Sequence, residues 1–180
     1  EADDLAPLDR RKVGAGDGTP QHRRVFGQAA LVDEHPRRLH PRARDLERAM
    51  TFREWNRRAC RLANALLGLG LAKGDRVAVL AYNCVEWAEI YAGTAKAGLV
   101  AVPINFRLVG PEVAFIVGNA EAAALIVQDE LAGVIEEIGA SLPVPATRIV
   151  HFGARPCPAG WQDYEALLQR MAGRAEAGLP

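Results

Sequence analysis

Serine is almost missing from this chain of 180 residues: Ser141 stands alone, in a Gly-Ala-Ser-Leu-Pro stretch without the strand-to-helix elbow that a hydrolase nucleophile needs. Cysteine is scarce too. Cys60, Cys84 and Cys157 are odd in number, far apart and never in a C-x-x-C pair, which excludes a disulfide framework and a structural zinc site. The four histidines, His22, His35, His40 and His151, share no ligand spacing. No apolar run approaches the ~20 residues of a membrane-spanning helix, and no secretory signal opens the chain, so the expected address is cytoplasmic. Neither sign of charge is in excess, with 22 Lys and Arg against 22 Asp and Glu, and no global field draws nucleic acid or anionic lipid. Arginines crowd residues 22–48, but Phe26 is the only aromatic residue among them, and acidic residues dilute the charge. That favours a solvated loop over a nucleic-acid surface.

What is present is apolar and periodic. With 49% of residues hydrophobic and 24% charged, the composition is that of a globular protein. Residues 1–24 lack a period and read as a flexible leader, their Gly14 to Gly18 run as linker; a short strand is expected at 29–32. Thr51 and Glu54 form a capping-box pattern. Behind them Phe52, Trp55, Ala59, Leu62, Ala63, Leu66 and Leu67 fall on one helical face, ended by Gly68 and Gly70. Gly74-Asp75 reads as a turn into the run 76–82, whose continuous apolar character predicts a strand covered on both faces. Asn83, with Glu86 three residues on, predicts the N-cap of a helix with Trp87, Ile90, Tyr91, Thr94 and Ala95 inward, stopped by Gly98. Strands follow at 99–104, 122–127 and 148–152, and Pro103 puts the end of the first at an edge or out of the ladder. Between them a helix opens at Gly110-Pro111-Glu112, with proline at its first position. Another spans 130–139, with Leu131, Val134, Ile135 and Ile138 inward. After a looser stretch from Gly153, Asp163 is placed to cap a final helix with Tyr164, Leu167 and Leu168. The expected fold is α/β, repeated βαβ units forming a largely parallel sheet with flanking helices.

The order of these pieces is familiar: Thr51-Phe52; Leu69-Gly70 with Gly74-Asp75-Arg76-Val77; Asn83; Lys96-Ala97-Gly98; and Pro103-Ile104-Asn105-Phe106-Arg107-Leu108. Over roughly residues 28–152 the chain resembles the N-terminal part of the adenylate-forming acyl-CoA synthetases, the AMP-dependent synthetases and ligases. The resemblance implies an incomplete N-terminal part of the large adenylating domain, with a leader at 1–24, the α/β segment at 25–152, and a loop and short helix at 153–180 leading toward the remainder of the enzyme. It also implies the activity of a full-length family enzyme. A carboxylic acid and ATP, with Mg²⁺, give an acyl-adenylate, and coenzyme A takes the acyl group. The family's Ser/Thr/Gly-rich loop ending in Pro-Lys-Gly, its aromatic-Gly-x-Thr-Glu segment, its ribose-binding aspartate and its C-terminal lysine have no counterpart here. None of these cofactors is therefore expected to bind tightly to this chain alone. Val109-Gly110 also stands where the family usually places threonine or serine. The chain opens at Glu1 without methionine and closes at Leu179-Pro180, and is expected to be a piece of a longer protein.

Ligands of open parallel sheets sit outside the carboxyl ends of the strands, so Asn83, Asn105 and Arg107, each just past an expected strand, are the candidate substrate-binding residues. The plain readings stand beside this: a helix cap for Asn83, a turn with an ion pair for Asn105 and Arg107. No catalytic and no metal-binding residue is expected. Two alternatives stay open, a short noncatalytic binding module derived from this family and an unrelated flavodoxin-like nucleotide-binding domain. A homo-oligomer is also left open.

Overall fold

The structure, a computed structural model, describes residues 42–44 and 49–172. The leader, the strand expected at 29–32 and most of the arginine-rich stretch lie outside the described residues. Within that stretch, β1 (Arg42–Arg44) pairs antiparallel with β2 (Ala49–Thr51), Ala43 opposite Met50. A solvated loop is thus replaced at 42–44 by one arm of a hairpin leading into α1 (Phe52–Gly68).

Five strands, β3 (Arg76–Leu80), β4 (Val100–Ile104), β5 (Ala122–Gln128), β6 (Ile149–Phe152) and β7 (Gln162–Asp163), form one sheet in the order β4-β3-β5-β6-β7. Every neighbouring pair is parallel. Parallel strands need both faces covered, and the side chains alternate accordingly. Val77, Val79, Ala124, Ile126, Val150 and Phe152 join one core with α1, α2 (Glu86–Lys96) and α5 (Tyr164–Arg170). Ala78, Leu80, Leu125, Val127 and Ile149 face the other way, onto α3 (Gly110–Asn119) and α4 (Ala132–Ile138). Pro103 does sit on an edge strand.

Most helix boundaries follow the expected chemistry. Thr51 Oγ1 accepts from the Glu54 N–H at 3.1 Å, and Asp163 Oδ1 from the Ala166 N–H at 2.7 Å. Gly98, at φ 69°, ends α2, and the Leu99 N–H closes on the Thr94 carbonyl at 2.9 Å. α3 begins at Gly110, so Pro111 is its second residue and Val109 holds the cap position. Glu112 Oε2 accepts from the Val109 N–H at 3.1 Å, the half of a capping box that needs no hydroxyl at the cap position. Glycine at 110 has a packing reason: a Cβ there would lie 2.6 Å from Ile138 Cγ2 of α4. At the other end of α3, the Arg76 guanidinium reaches the carbonyls of Ala120 at 2.8 Å and Glu121 at 3.0 Å, satisfying acceptors a helix end leaves open.

Several inward assignments do not hold. Phe52, Leu67 and Tyr91 are exposed, and Ala95 is too, because α1 and α2 pack chiefly on each other through a narrower stripe. Gly93 explains how close they come, since its Cβ would sit 2.8 Å from a Leu62 methyl. The two-residue strand β7 was not expected at all.

A buried charge cluster ties the three helices of the first face together. Glu89 of α2, 1% exposed, accepts from Arg58 Nε of α1 at 2.6 Å and from the Tyr164 hydroxyl of α5 at 2.8 Å. Arg58 also donates to both Glu165 oxygens, Nη1 to Oε2 at 3.0 Å and Nη2 to Oε1. Burial opposes the Arg58 charge, but the hydrogen bonds it donates to Glu165 and Glu89 outweigh that and hold its pKa above the usual value. Burial, then the Glu89 charge, raise Tyr164 well above an ordinary phenol. Arg58→Ala leaves Glu89 buried without its cation and is expected to cost about 3 kcal/mol, near the lower end for a broken buried pair. Tyr164→Phe should cost about 1 kcal/mol and Glu165→Ala, at the exposed end, less than about 1 kcal/mol. Urea titration of the three variants checks the order, and an equal effect at Arg58 and Glu165 would contradict it. Tyr164 must stay protonated when folded, so stability is full below the unfolded phenol pKa of about 10 and is lost as pH rises through the higher folded value.

Candidate functional site

In chain order the sheet grows from β3 outward to β4, then returns to the far side of β3 for β5 and beyond. The helix after β3 therefore lies on one face and the helix after β5 on the other. Between the carboxyl ends of β3 and β5 this leaves a crevice, the place where open α/β sheets hold ligands. The segments that border it are 81–85 after β3, 105–109 after β4, 129–131 after β5 and 153–155 after β6.

Asn83 is exposed there in a bend, but it does not cap α2. That helix starts at Glu86 with Val85 in the cap position and no side-chain cap, which overturns the expected N-cap. The reason is local tethering of the preceding segment. The Tyr82 N–H donates to Gln128 Oε1 at 2.8 Å, and Trp87 Nε1 donates to the Tyr82 carbonyl at 2.9 Å. These tie residue 82 to the end of β5 and to the first turn of α2, and the helix begins only at Glu86. The Gln128 bond also bridges the crevice itself, joining the loop after β3 to the end of β5. Sequence reasoning missed Gln128, which reads only as the last residue of an apolar run.

Asn105 makes a turn: its Oδ1 accepts from the Arg107 N–H at 3.1 Å. The expected ion pair is absent among the described residues. Instead the Arg107 guanidinium lies over the Phe106 ring, 5.1 Å from its centroid, and Phe106 meets Tyr82 edge-on at 4.8 Å. The structure thus brings Asn105 and Arg107 together with Tyr82 at the mouth, with an exposed cation resting on an aromatic pair.

Deeper, Asp129 is nearly buried, and its Oδ2 accepts from the N–H groups of Ala154 at 2.7 Å and Arg155 at 2.9 Å. Gly153, at φ 138°, lets the backbone come this near, as a Cβ would lie 2.2 Å from Asp129 Cγ. The adjoining Glu130 carboxyl and the two backbone donors hold Asp129 down to about 2 against its burial, while Asp129 and burial push Glu130 up. Burial and the Glu86 carboxylate push the Cys84 thiol up to about 12, so it is not a thiolate nucleophile at neutral pH.

The residues described here do not fit Mg-ATP. Among them no group of three or more His, Cys, Asp or Glu side chains is placed to hold a metal ion. The pair of converging backbone N–H groups beside the crevice, at Ala154 and Arg155, is already taken by the carboxylate of Asp129. A triphosphate would meet that negative charge rather than a cradle.

Because the folded pKa of Asp129 is depressed, its contribution is present above the unfolded value of 3.8 and is lost as pH falls toward about 2. Asp129→Asn should lower stability near pH 7 and flatten the loss between these limits; thermal melts across that range check it, and parallel acid limbs for both proteins would contradict it. Gly153→Ala should cost about 2 kcal/mol, from strain and the Asp129 clash together.

Comparison with known proteins agrees with this architecture. The model of the family described as AMP-binding enzyme matches residues 24–170. The long-chain-fatty-acid–CoA ligase FadD13 of Mycobacterium tuberculosis is 45% identical over 105 residues, 58% of this chain and 21% of that protein. The fatty acid–acyl-carrier-protein ligase ScoC of Streptomyces coeruleorubidus is 41% identical over 96 residues, 53% of this chain and 18% of that one. Among solved structures, the anthranilate CoA ligase AuaEII in complex with anthranoyl-AMP superimposes with a TM-score of 0.65 at 34% identity, over 69% of this chain and 24% of that chain. A Mycobacterium tuberculosis fatty acyl CoA synthetase gives 0.56 at 38%, over 74% and 24%. The chain thus spans about a fifth of the length of the curated relatives it matches. A parallel sheet alone would have suited an unrelated flavodoxin-like domain, but a match over this span does not: the chain belongs to the AMP-binding enzyme family.

Proposed function

We propose that this chain is the N-terminal α/β segment of an ATP-dependent acyl-CoA ligase. The observation that carries the reading is the family match across residues 24–170, joined by relatives named as CoA and acyl-carrier-protein ligases. In the whole enzyme a carboxylic acid is activated as its acyl-adenylate and passed to coenzyme A, with ATP and Mg²⁺ held by the remainder of the protein. This segment supplies scaffold and one wall of the substrate cleft. No step is assigned to its own residues: the Cys84 thiol is pushed up to about 12, and the Asp129 carboxylate is engaged by the Ala154 and Arg155 N–H groups. Asn83, Asn105 and Arg107 are the cleft-facing substrate contacts of this reading, with Arg107 the strongest because its cation is exposed and, among the described residues, meets only an aromatic face. Relatives named for fatty acids, for carnitine and for anthranilate each match more than half of this chain, which supports a shared scaffold rather than a pocket that selects the acid. No helix among the described residues is long and apolar enough to cross a membrane, and we place the enzyme in the cytoplasm.

Two arms test this. The purified chain should give no ATP–pyrophosphate exchange above a no-protein control. A chimera in which residues 51–170 replace the matching segment of the mycobacterial long-chain ligase should form acyl-CoA. Exchange by the short chain, or a folded chimera without activity, contradicts the reading. Within the chimera, Arg107→Ala should raise the KM of an anionic substrate several-fold with little change in Tm; a change in Tm alone would make Arg107 structural.

A further inference from the structure

The sheet opens at its carboxyl end. β3 pairs with β4 and with β5 only as far as Leu80, opposite Ile104 on one side and Val127 on the other. Past that point the chain runs through Ala81 to Tyr82, whose N–H has left the ladder. Its new acceptor is a side chain, Gln128 Oε1, 2.8 Å away and 46 residues further on. Tyr82 is 39% exposed, so water could have served that N–H, and burial does not force the bond. The Tyr82 carbonyl is held in turn by Trp87 Nε1 at 2.9 Å. Residue 82 is thus fixed at both its N–H and its carbonyl, which limits where its ring can go.

That ring supports the cation at the mouth of the crevice. Tyr82 meets Phe106 edge-on with centroids 4.8 Å apart, and the Arg107 guanidinium lies over the Phe106 ring, 5.1 Å from its centroid. The Asn105 turn orients the Arg107 backbone, and the aromatic pair carries its side chain. We propose that Gln128 is a positioning residue of the ligase site: through Tyr82 and Phe106 it holds the Arg107 cation where an anionic substrate meets it, without touching substrate itself. The inference rests on the reading of this chain as a ligase segment with Arg107 as a substrate contact. Glutamine suits the task because it reaches across the crevice as a neutral acceptor, where a carboxylate would compete with the substrate for Arg107.

The test is a double-mutant cycle in the chimera described above, with KM read separately for the fatty acid, ATP and coenzyme A. Gln128→Met keeps the length of the side chain and loses its acceptor. It should raise several-fold the KM of the same substrate that Arg107→Ala affects, with kcat little changed, and should add nothing once Arg107 is already alanine. Tyr82→Leu, which keeps the backbone N–H and removes the ring, should show the same signature, and it carries the test should Gln128→Met not fold. A lower Tm with every KM unchanged overturns the proposal and leaves the bond a structural tie. Full additivity with Arg107→Ala also overturns it, and so does an Arg107→Ala chimera whose three KM values all match the parent. Any of these results in an otherwise active chimera removes the positioning role and leaves the ligase assignment standing; a folded, unsubstituted chimera that makes no acyl-CoA overturns both.

Discussion

Everything that positions the candidate site depends on the pairing of β3 with β5. Chain growth reverses there, so β3 is flanked by β4 on one side and β5 on the other, all in parallel register. Parallel strands must be joined by crossovers, and growth in opposite directions sends α2 and α4 to opposite faces. The crevice between the two carboxyl ends is a consequence of that reversal rather than of any one side chain. The same reversal decides the layers. α1, α2 and α5 share one face, held by charge at its centre, while α3 and α4 share the other.

Two buried carboxylates hold this frame at places where apolar packing is short of partners. Glu89 joins three helices that come from distant parts of the chain, and its neighbours Arg58 and Tyr164 satisfy one oxygen each. Asp129 does the same for a loop, using its Oδ2 to collect two backbone donors after β6. Burying either charge would be costly without these partners, so each specifies one arrangement of the segments around it. The second also closes off what would otherwise be an anion-binding pair of N–H groups, which fits a segment that frames a cleft and leaves phosphate chemistry to other parts of the enzyme.

Much of this was legible in the sequence, for identifiable reasons. Strands covered on both faces write themselves as apolar runs, so the strands expected at 76–82, 122–127 and 148–152 appear as Arg76–Leu80, Ala122–Gln128 and Ile149–Phe152. Thr51, Asp163 and Gly98 act through contacts within a few residues, which local pattern reports well. Asn83 failed because its cap preference is local, whereas the segment before α2 is also tied to Gln128, 46 residues from Tyr82. β7 is too short to carry a period. The Arg58, Glu89 and Tyr164 cluster spans separations of 31 and 75 residues, and spacing is silent at that range. Gly110 looked like a weak cap and is instead a close approach to Ile138, a fact that only packing reveals. At the site, Asn105 and Arg107 were rightly placed beyond a strand end, but the aromatic support of Tyr82 and Phe106 comes from two different loops.

The central claim is that the carboxyl edge of this sheet, at the reversal, faces the substrates of the whole enzyme. Hydrogen exchange of the chimeric ligase, with and without a non-hydrolysable acyl-adenylate analogue, tests it most directly. The account predicts added protection in the segments 81–85, 105–109 and 129–131, with the far ends of the same strands unchanged. Protection confined to the rest of the enzyme, with these three segments exchanging as before, would contradict it.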